Sequence, residues 1–530
     1  MTALPVTAQG PAVGIDLGTS NSVLAVIDRD GAPRILTTDE GSTTLPSLVW
    51  FSPAGPIVGE GARAGLDDSP DLTIFGAKRL LGRRYDHPEV RRLARMLPYE
   101  LAEAPNGDTW IGLPGGRLVS PEEVCALILR ELRRIAEAHF GQPVTRAVIT
   151  IPAWYDAAQR QATKDAAQIA GLSVARLLSE PTAAALGHGA HRGADRKYLV
   201  CDLGGGTFDV AAVDVMGGIF EVLATTGDAF LGGDDVDRAV VENLIRDVRN
   251  ARGMDVSADA DAIERLRMAA QRAKHELSAA ASARVHVSEL AQLPSGKALE
   301  YGKQLRRDEL ELWSAPLMRR LDPPIREALR RAGRAREEID EILLVGGMTR
   351  MPAVRREIAR ILGREGLAID NPEEVVAVGA ALEVARLEGA IEGVLVIDVA
   401  ARGVSVSNAG GECELVIAQS CVIPTREHRV FPTRVDGQPR IEFDLWEGDS
   451  PDAARNRHLG RYAVSELPEA PAGDVLVLVE ITLDTDGTVR LSASELISGE
   501  RLQLEQIYHA GLPRSEVLRL QRRLAETEAW

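Results

Sequence analysis

Cysteine is scarce: Cys125, Cys201, Cys413 and Cys421 are the four in 530 residues. No two stand at metal-ligand spacing, and so few in so long a chain exclude a disulfide-stapled scaffold. Positive charge is also short. Lys and Arg number 61 against 78 Asp and Glu, a formal net charge of −17. That balance argues against binding nucleic acid or an anionic membrane through bulk electrostatics. No apolar run reaches the roughly 18 residues a membrane span needs. The segment Met1 to Pro11 lacks the basic region and apolar stretch of a secretory leader. The expectation is a cytoplasmic protein in a reducing setting. What is present is ordinary globular material, 45% hydrophobic and 26% charged. Over this length it predicts more than one domain.

The clearest positive signal is an internal repeat. Gly14-Ile15-Asp16-Leu17-Gly18-Thr19-Ser20-Asn21 leads into Ala25-Val26-Ile27-Asp28. Cys201-Asp202-Leu203-Gly204-Gly205-Gly206-Thr207 leads into Ala211-Ala212-Val213-Asp214. Asp16 precedes Asp28 by the same interval that separates Asp202 from Asp214. Each copy reads as strand, glycine-rich turn, strand. The copies lie too far apart for a solenoid and suggest duplication of a whole domain. Around them helices alternate with strands: helices over 121–140, 156–171, 235–251, 261–279 and 351–363, strands over 147–152 and 341–345. The predicted class is α/β. Past Gly389 the pattern changes to strands and tight turns, and from Pro513 one amphipathic helix closes the chain. The predicted domains are 1–389, an interdomain linker 390–399, a β-sandwich 400–510 and a terminal helix 511–530.

Glycine-rich hairpin tips let backbone N–H groups approach an anion without Cβ interference. Two such tips in related halves can grip a polyphosphate from both sides, with Thr19, Ser20 and Thr207 adding hydroxyl donors. Asp16 and Asp202 beside the tips suit Mg²⁺, which takes few protein oxygens. No Gly-x-x-x-x-Gly-Lys-Ser/Thr stretch occurs, so a P-loop is not supported. Gln271, Lys274, His275 and Ser278 recur at helical spacing on one face.

The chain resembles the seventy-kilodalton heat-shock chaperone family, built on the actin-like duplicated ATPase. The matches include Gly14 to Thr19, Ala77-Lys78-Arg79-Leu80-Leu81-Gly82-Arg83, Ile151-Pro152-Ala153-Trp154-Tyr155 and Gln159 to Ala166. They continue through Glu180-Pro181-Thr182-Ala183-Ala184-Ala185, Asp202 to Asp209, Leu231-Gly232-Gly233-Asp234-Asp235 and Val345-Gly346-Gly347-Met348-Thr349-Arg350. The resemblance implies ATP/ADP with Mg²⁺, and K⁺ as a further candidate ion. Lys78 matches the family's catalytic lysine. Asp16, Glu180, Asp202 and Asp209 match the acids around metal and water, with Asp16, Glu180 and Asp202 as the metal set. Thr207 matches the hydroxyl beside the γ-phosphate. Gly18 to Asn21 and Gly204 to Gly206 match the phosphate tips. The face bearing Gln271, Lys274, His275 and Ser278 matches the adenosine side, with Gly346, Gly347, Arg350 and Glu373 opposite. Gln271 replaces an acid and Met348 a serine, which puts nucleotide affinity in question.

The resemblance extends to coupling. Val394, Leu395, Val396, Ile397 and Asp398 match an apolar interdomain linker that docks on the ATPase domain in one nucleotide state; they also read as the first strand of the next domain. Pro152 and Arg160 match a relay from nucleotide to linker. Arg176 and Asp398 match positions that engage J-domain co-chaperones, and a nucleotide exchange factor is a further implied partner. In the β domain, Phe431 and Ile441 fall where the family lines its peptide pocket, and equally where a sandwich keeps its core. The two arch positions are Ala409 and Arg434, the latter opening the prospect of acidic clients. The family's helical lid has no counterpart beyond the terminal helix. The arginine-rich stretch Arg319 to Arg336 reads as solvated surface. The function implied is an ATP-dependent chaperone of protein folding and stress response, binding unfolded or extended polypeptide. The alternative is an ATP-gated interaction module with vestigial hydrolysis and one dedicated partner.

Overall fold

The structure, a computed structural model, describes residues 10–526 except 29, 96, 190–194, 294–295, 408–411 and 510. The first half opens with β1 (Ala12–Asp16), β2 (Asn21–Ile27) and β3 (Pro33–Ile35). It continues through α1 (Pro121–Phe140), β4 (Arg146–Ile151), α2 (Ala157–Ile169), β5 (Ser173–Ser179) and α3 (Glu180–Gly189). The second half has β6 (Arg196–Leu203), β7 (Phe208–Met216) and β8 (Ile219–Asp228), then α4 (Gly233–Arg252) and α5 (Ala260–Ala279). It closes with β9 (Glu341–Val345) and α6 (Val375–Leu387).

The two sheets repeat one topology. In the first, β1–β2–β3 is an antiparallel meander, with β4 parallel to β1 and β5 parallel to β4. In the second, β6–β7–β8 is the meander, with β9 parallel to β6 and the short strand Leu367–Ala368 parallel to β9. Strands buried on both faces explain the near-continuous apolar runs. Helices α3 and α6 cross between the sheets on small residues. A Cβ on Gly379 would lie 1.8 Å from Ala183 O, and one on Gly14 would lie 2.2 Å from Ala381 N. Only glycine permits backbones to approach so closely.

Strand β10 (Leu395–Val399) extends the second sheet. It runs parallel to β8, with Leu395 opposite Ile219 and Val396 opposite Phe220. Its last two residues pair instead with β13 (Val422–Ile423), Asp398 opposite Ile423. The segment is thus shared: it pairs with β8 of the second half and with the first residues of the next domain. That domain adds β11 (Val404–Ser407) and β12 (Cys413–Ile417), then β14 (Thr425–Pro432), β15 (Ile441–Glu447) and β16 (Arg457–Ser465). Strands β17 (Leu476–Leu483), β18 (Val489–Glu495) and β19 (Arg501–His509) complete it. Rather than two separate sheets, eight strands run in one continuous order, and β19 joins β16 to β18. The ends of that order meet around one core.

The β domain is seated on the first half. Arg457 bonds Asp156 and donates to Gly82 O at 2.5 Å. Lys164 Nζ lies 2.7 Å from Asp486 Oδ2, and Leu177 N–H donates to Asp486 Oδ1 at 3.0 Å. Helix α7 (Arg514–Glu526) is no free stub. Leu512, Val517, Leu520 and Leu524 join the core of the first half. Gly511 N–H donates to Asp108 Oδ2 at 3.2 Å, and Arg523 pairs with Glu123.

Two expectations need correction. Ile441 is a core residue at 6% exposure rather than pocket lining; Phe431 is half-buried and stacks on Phe443 at 5.1 Å. Arg320 and Arg334 are not merely solvated: they bond Asp228 and Asp214 at 2.7 and 2.6 Å and tie their segment to β8 and β7. Arg434 is exposed in the turn after β14, and Ala409 lies outside the described residues. Because α7 is held by one apolar stripe, Leu520→Asp should release it, since an unpaired charge is costly to bury. Hydrogen exchange should show α7 unprotected while β1 and β4 keep their protection; an α7 that stays protected would contradict this packing.

Candidate active site

The tips of the β1–β2 and β6–β7 hairpins face each other across a cavity of about 440 Å³. They nearly touch: a Cβ on Gly205 would fall 2.0 Å from Ser20 Oγ, and one on Gly206 2.8 Å from Thr19 Cγ2. The cavity is lined by Asp16, Gly18 to Asn21, Lys78, Glu180, Asp202, Gly204, Gly205 and Thr207 on one side. Gln271, Lys274, His275, Ser278, Gly346, Gly347, Arg350 and Glu373 line the other. Two expected residues are not in the lining. Gly206 packs in the tip-to-tip contact, against Thr19 and Arg79. Asp209 is fully buried behind the wall, where its Oδ1 accepts the Ala153 N–H at 2.6 Å. Sequence reasoning assigned no role to Asp234. Its Oδ1 accepts the Ser20 hydroxyl at 3.4 Å and its carboxylate lies 3.9 Å from Arg79, a bridge between the halves. The Leu231 to Asp235 motif held that residue, but nothing in the motif shows what lies across the cleft.

Lys78 Nζ lies 2.5 Å from Glu180 Oε1, with both residues under 8% exposed. The Tyr155 hydroxyl donates to Lys78 O at 3.1 Å and anchors the lysine's turn. Burial works against the Lys78 charge, but the Glu180 carboxylate outweighs it and holds the ammonium above its usual range. The neighbouring acids are raised as well, which in their case favours the neutral form. Burial, and then the Glu180 charge, raise Asp16 to about 6, although Thr150 donates to it at 2.7 Å. Asp202 and Asp209 are raised well above the usual carboxylate range for the same two reasons. Buried acids that repel one another favour uptake of protons or of a cation.

That test favours a divalent ion at Asp16 and Asp202, and Asp209 Oδ2 is buried without a partner. The three-carboxylate set is corrected. Among the described residues no three His, Cys, Asp or Glu side chains close into a cage, and Glu180 faces Lys78. Two carboxylates suffice for Mg²⁺, which fills its shell with water and phosphate oxygens.

The adenosine side is polar and ordered. Arg350 makes a bidentate pair with Glu373, 2.7 Å on each arm, which fixes the plane of its guanidinium. His275 is driven down to about 4 by burial and by neighbouring Lys274, so it is neutral near pH 7. The Lys274 ammonium is spoken for, at 2.8 Å from Asp237 Oδ2 and 3.0 Å from Gly233 O. It braces α5 against α4 beside the cavity. Met348 is 6% exposed and packs against Gly233.

With hairpins, cavity and acid cluster in place, the family comparison is decisive: the model described as Hsp70 protein matches residues 12–529. The chain belongs to the Hsp70 family. Hsp70 proteins as a family bind ATP and ADP with Mg²⁺ and act as ATP-dependent chaperones. The coupling positions of this Hsp70 are mostly engaged. Pro152 is buried, and Arg160 donates from Nε to Tyr155 O at 3.0 Å and from Nη1 to Asp486 O at 2.7 Å. Arg176 is 6% exposed and bonded to Glu383 at 2.5 Å. Half-buried Asp398 sits in the field of Arg176 and Arg160. No helix among the described residues is long and apolar enough to cross a membrane.

The acid cluster sets a pH dependence. Asp16, raised to about 6, and Asp202 and Asp209, raised well above the usual carboxylate range, mean that the nucleotide-free protein binds more protons than the unfolded chain. Its stability should therefore fall as pH rises from about 5 to 7. Mg²⁺ with ADP should flatten that slope by neutralising the acids. Thermal melts across this range, with and without Mg²⁺–ADP, check it; identical slopes would sink the assignment. Glu122 and Asp165 are raised too, but lie outside the cleft, so only the difference between the two series counts.

Proposed function

We propose that this chain is an ATP-hydrolysing Hsp70 chaperone whose nucleotide state controls polypeptide binding by the β domain. The observation that carries the reading is the closure of two glycine-rich tips over a cavity that also holds the buried Lys78–Glu180 pair. Backbone N–H groups of Thr19, Ser20 and Gly205 would cradle the phosphates, and Thr19 and Thr207 would add hydroxyls. Asp16 and Asp202 would hold Mg²⁺, which when bound would supply neutralising charge to the phosphates. Lys78 stands where charge develops on the transferred phosphoryl group, and Glu180 keeps its ammonium protonated and aimed. Phosphoryl transfer depends mainly on such positioning and neutralisation. Asp209, buried behind the cavity wall, acts through the Ala153 N–H that it accepts, holding the turn beneath the cleft. Arg350, Glu373, His275, Gln271 and Ser278 hold the nucleoside.

The same reading assigns β10 as the coupling strand and Arg160 as the link from the Pro152–Tyr155 turn to the β domain. Unfolded or extended polypeptide is the client. A J-domain co-chaperone and a nucleotide exchange factor are the partners, the former reaching Arg176 and Asp398 when β10 undocks. Exposed Arg434 favours acidic segments. The intact set Lys78, Glu180, Asp202, Thr207 and Asp209 speaks against vestigial hydrolysis.

Lys78→Ala should lower ATP turnover at least a hundredfold while ADP affinity changes little, since its contribution lies in the transition state. Single-turnover hydrolysis with parallel ADP titration measures both, and unchanged turnover would remove Lys78 from the mechanism. Leu395→Asp with Val396→Asp should leave basal hydrolysis in place but abolish its stimulation by unfolded peptide, because charges at Val396 cannot be buried against β8. Normal stimulation in that double variant would show that β10 plays no part in coupling.

A further inference from the structure

Glu447, at the end of β15, occupies an unusual place. It belongs to the β domain but points at the start of α2 in the ATPase half, where its Oε1 accepts the Ala157 N–H at 3.1 Å. It is 8% exposed, and its other oxygen, Oε2, is buried without a partner. The charged groups around it come from three directions. From α2, Asp156 and Arg160 face it; from β16, Arg457; from the segment before β11, Arg402. Of the three cations, Arg402 partly offsets the burial, and the other two are committed elsewhere. Arg457 is bonded to Asp156 and to Gly82 O. Arg160 spends its donors on Tyr155 O and Asp486 O, and Asp398 shares its field. Glu447 is thus an acid sealed at a domain interface beside a second acid, with half its hydrogen-bonding capacity unused. An ionised carboxylate in that place forfeits solvation that it regains when the domains part.

We propose that this interface is a proton-linked latch: docking of the β domain takes up one proton from solvent on Glu447, and separation of the domains releases it. Burial first, and Asp156 second, lift the carboxyl to about 7, against an ordinary 4.5. The sign follows. The docked state binds the extra proton, so docking is favoured below about pH 7 and weakens as pH rises through that value. Gln in place of Glu447 keeps the shape and the acceptor for Ala157 N–H but cannot ionise. The latch acts on domain docking alone and does not require that the cleft hydrolyse ATP.

The test is the full-length chain with Mg²⁺–ATP between about pH 6 and 8.5, read by hydrogen-exchange protection of the β10 amides, each corrected for its intrinsic rate. The Leu395 amide, which donates to Gly218 O at 3.1 Å, reports docking directly. In the wild type, protection should drop about tenfold across this range, the fold-change expected for one group titrating near 7. Glu447→Gln should hold the pH 6 level throughout. Asp156→Asn, which retains an N-cap residue for α2, should move the midpoint to lower pH by removing the neighbouring charge. Equal pH dependence in wild type and Glu447→Gln, or none in the wild type, would overturn the proposal. A midpoint unmoved by Asp156→Asn would overturn it as well.

Discussion

One strand has a partner from each domain to satisfy. Backbone groups of Leu395 to Ile397 pair along β8, and those of Asp398 and Val399 pair with β13. A strand in that position cannot shift register or swing away without breaking a ladder on one side, and unpaired backbone groups are expensive away from water. Every interdomain bond described above follows from this placement. It brings β15 and β16 over the N-terminus of α2 and sets the Asp484 to Thr488 turn against β5. The docked form is accordingly held by backbone pairing, with side-chain bonds selecting its geometry.

The cleft works on a different principle. Its acids are crowded and its two lysines are matched to Glu180 and Asp237, so the site carries charge that a proton or a cation relieves. Structure and ligand therefore share one electrostatic problem. The hairpin tips supply donors, the acids supply demand for positive charge, and a metal–nucleotide complex answers both. The bidentate pairing of Arg350 with Glu373 shows the opposite strategy, a pair satisfied before any ligand arrives.

Much of this was legible in the sequence because it is local. Glycine-rich tips between apolar runs announce hairpins, and Asp16 and Asp202 stand beside them in the chain as in space. The helical spacing of Gln271, Lys274, His275 and Ser278 carries directly to one cavity wall. What was not legible depends on long-range placement. Lys274 reads as a ligand residue, yet its ammonium is taken by Asp237, in the opening of another helix. Ile441 fits pocket or core equally by pattern, and the packing of Phe443 and Val477 decides for core. Glu447 and Arg457 are unremarkable as letters; their neighbours are some three hundred residues away. Asp234 sat in a matched motif without a role, because its partner Ser20 belongs to the other half.

Helix α7 carries one more consequence. Its leucines complete the core of the first half, and Gly511 bonds Asp108 across 403 residues of chain. On a ribosome the segments of the first half would wait, with an apolar groove over α1 and α2 uncovered, until α7 arrives. The first half finishes folding only after the β domain has been made, which ties the order of synthesis to the order of assembly and leaves that groove as a surface the nascent chain must protect meanwhile.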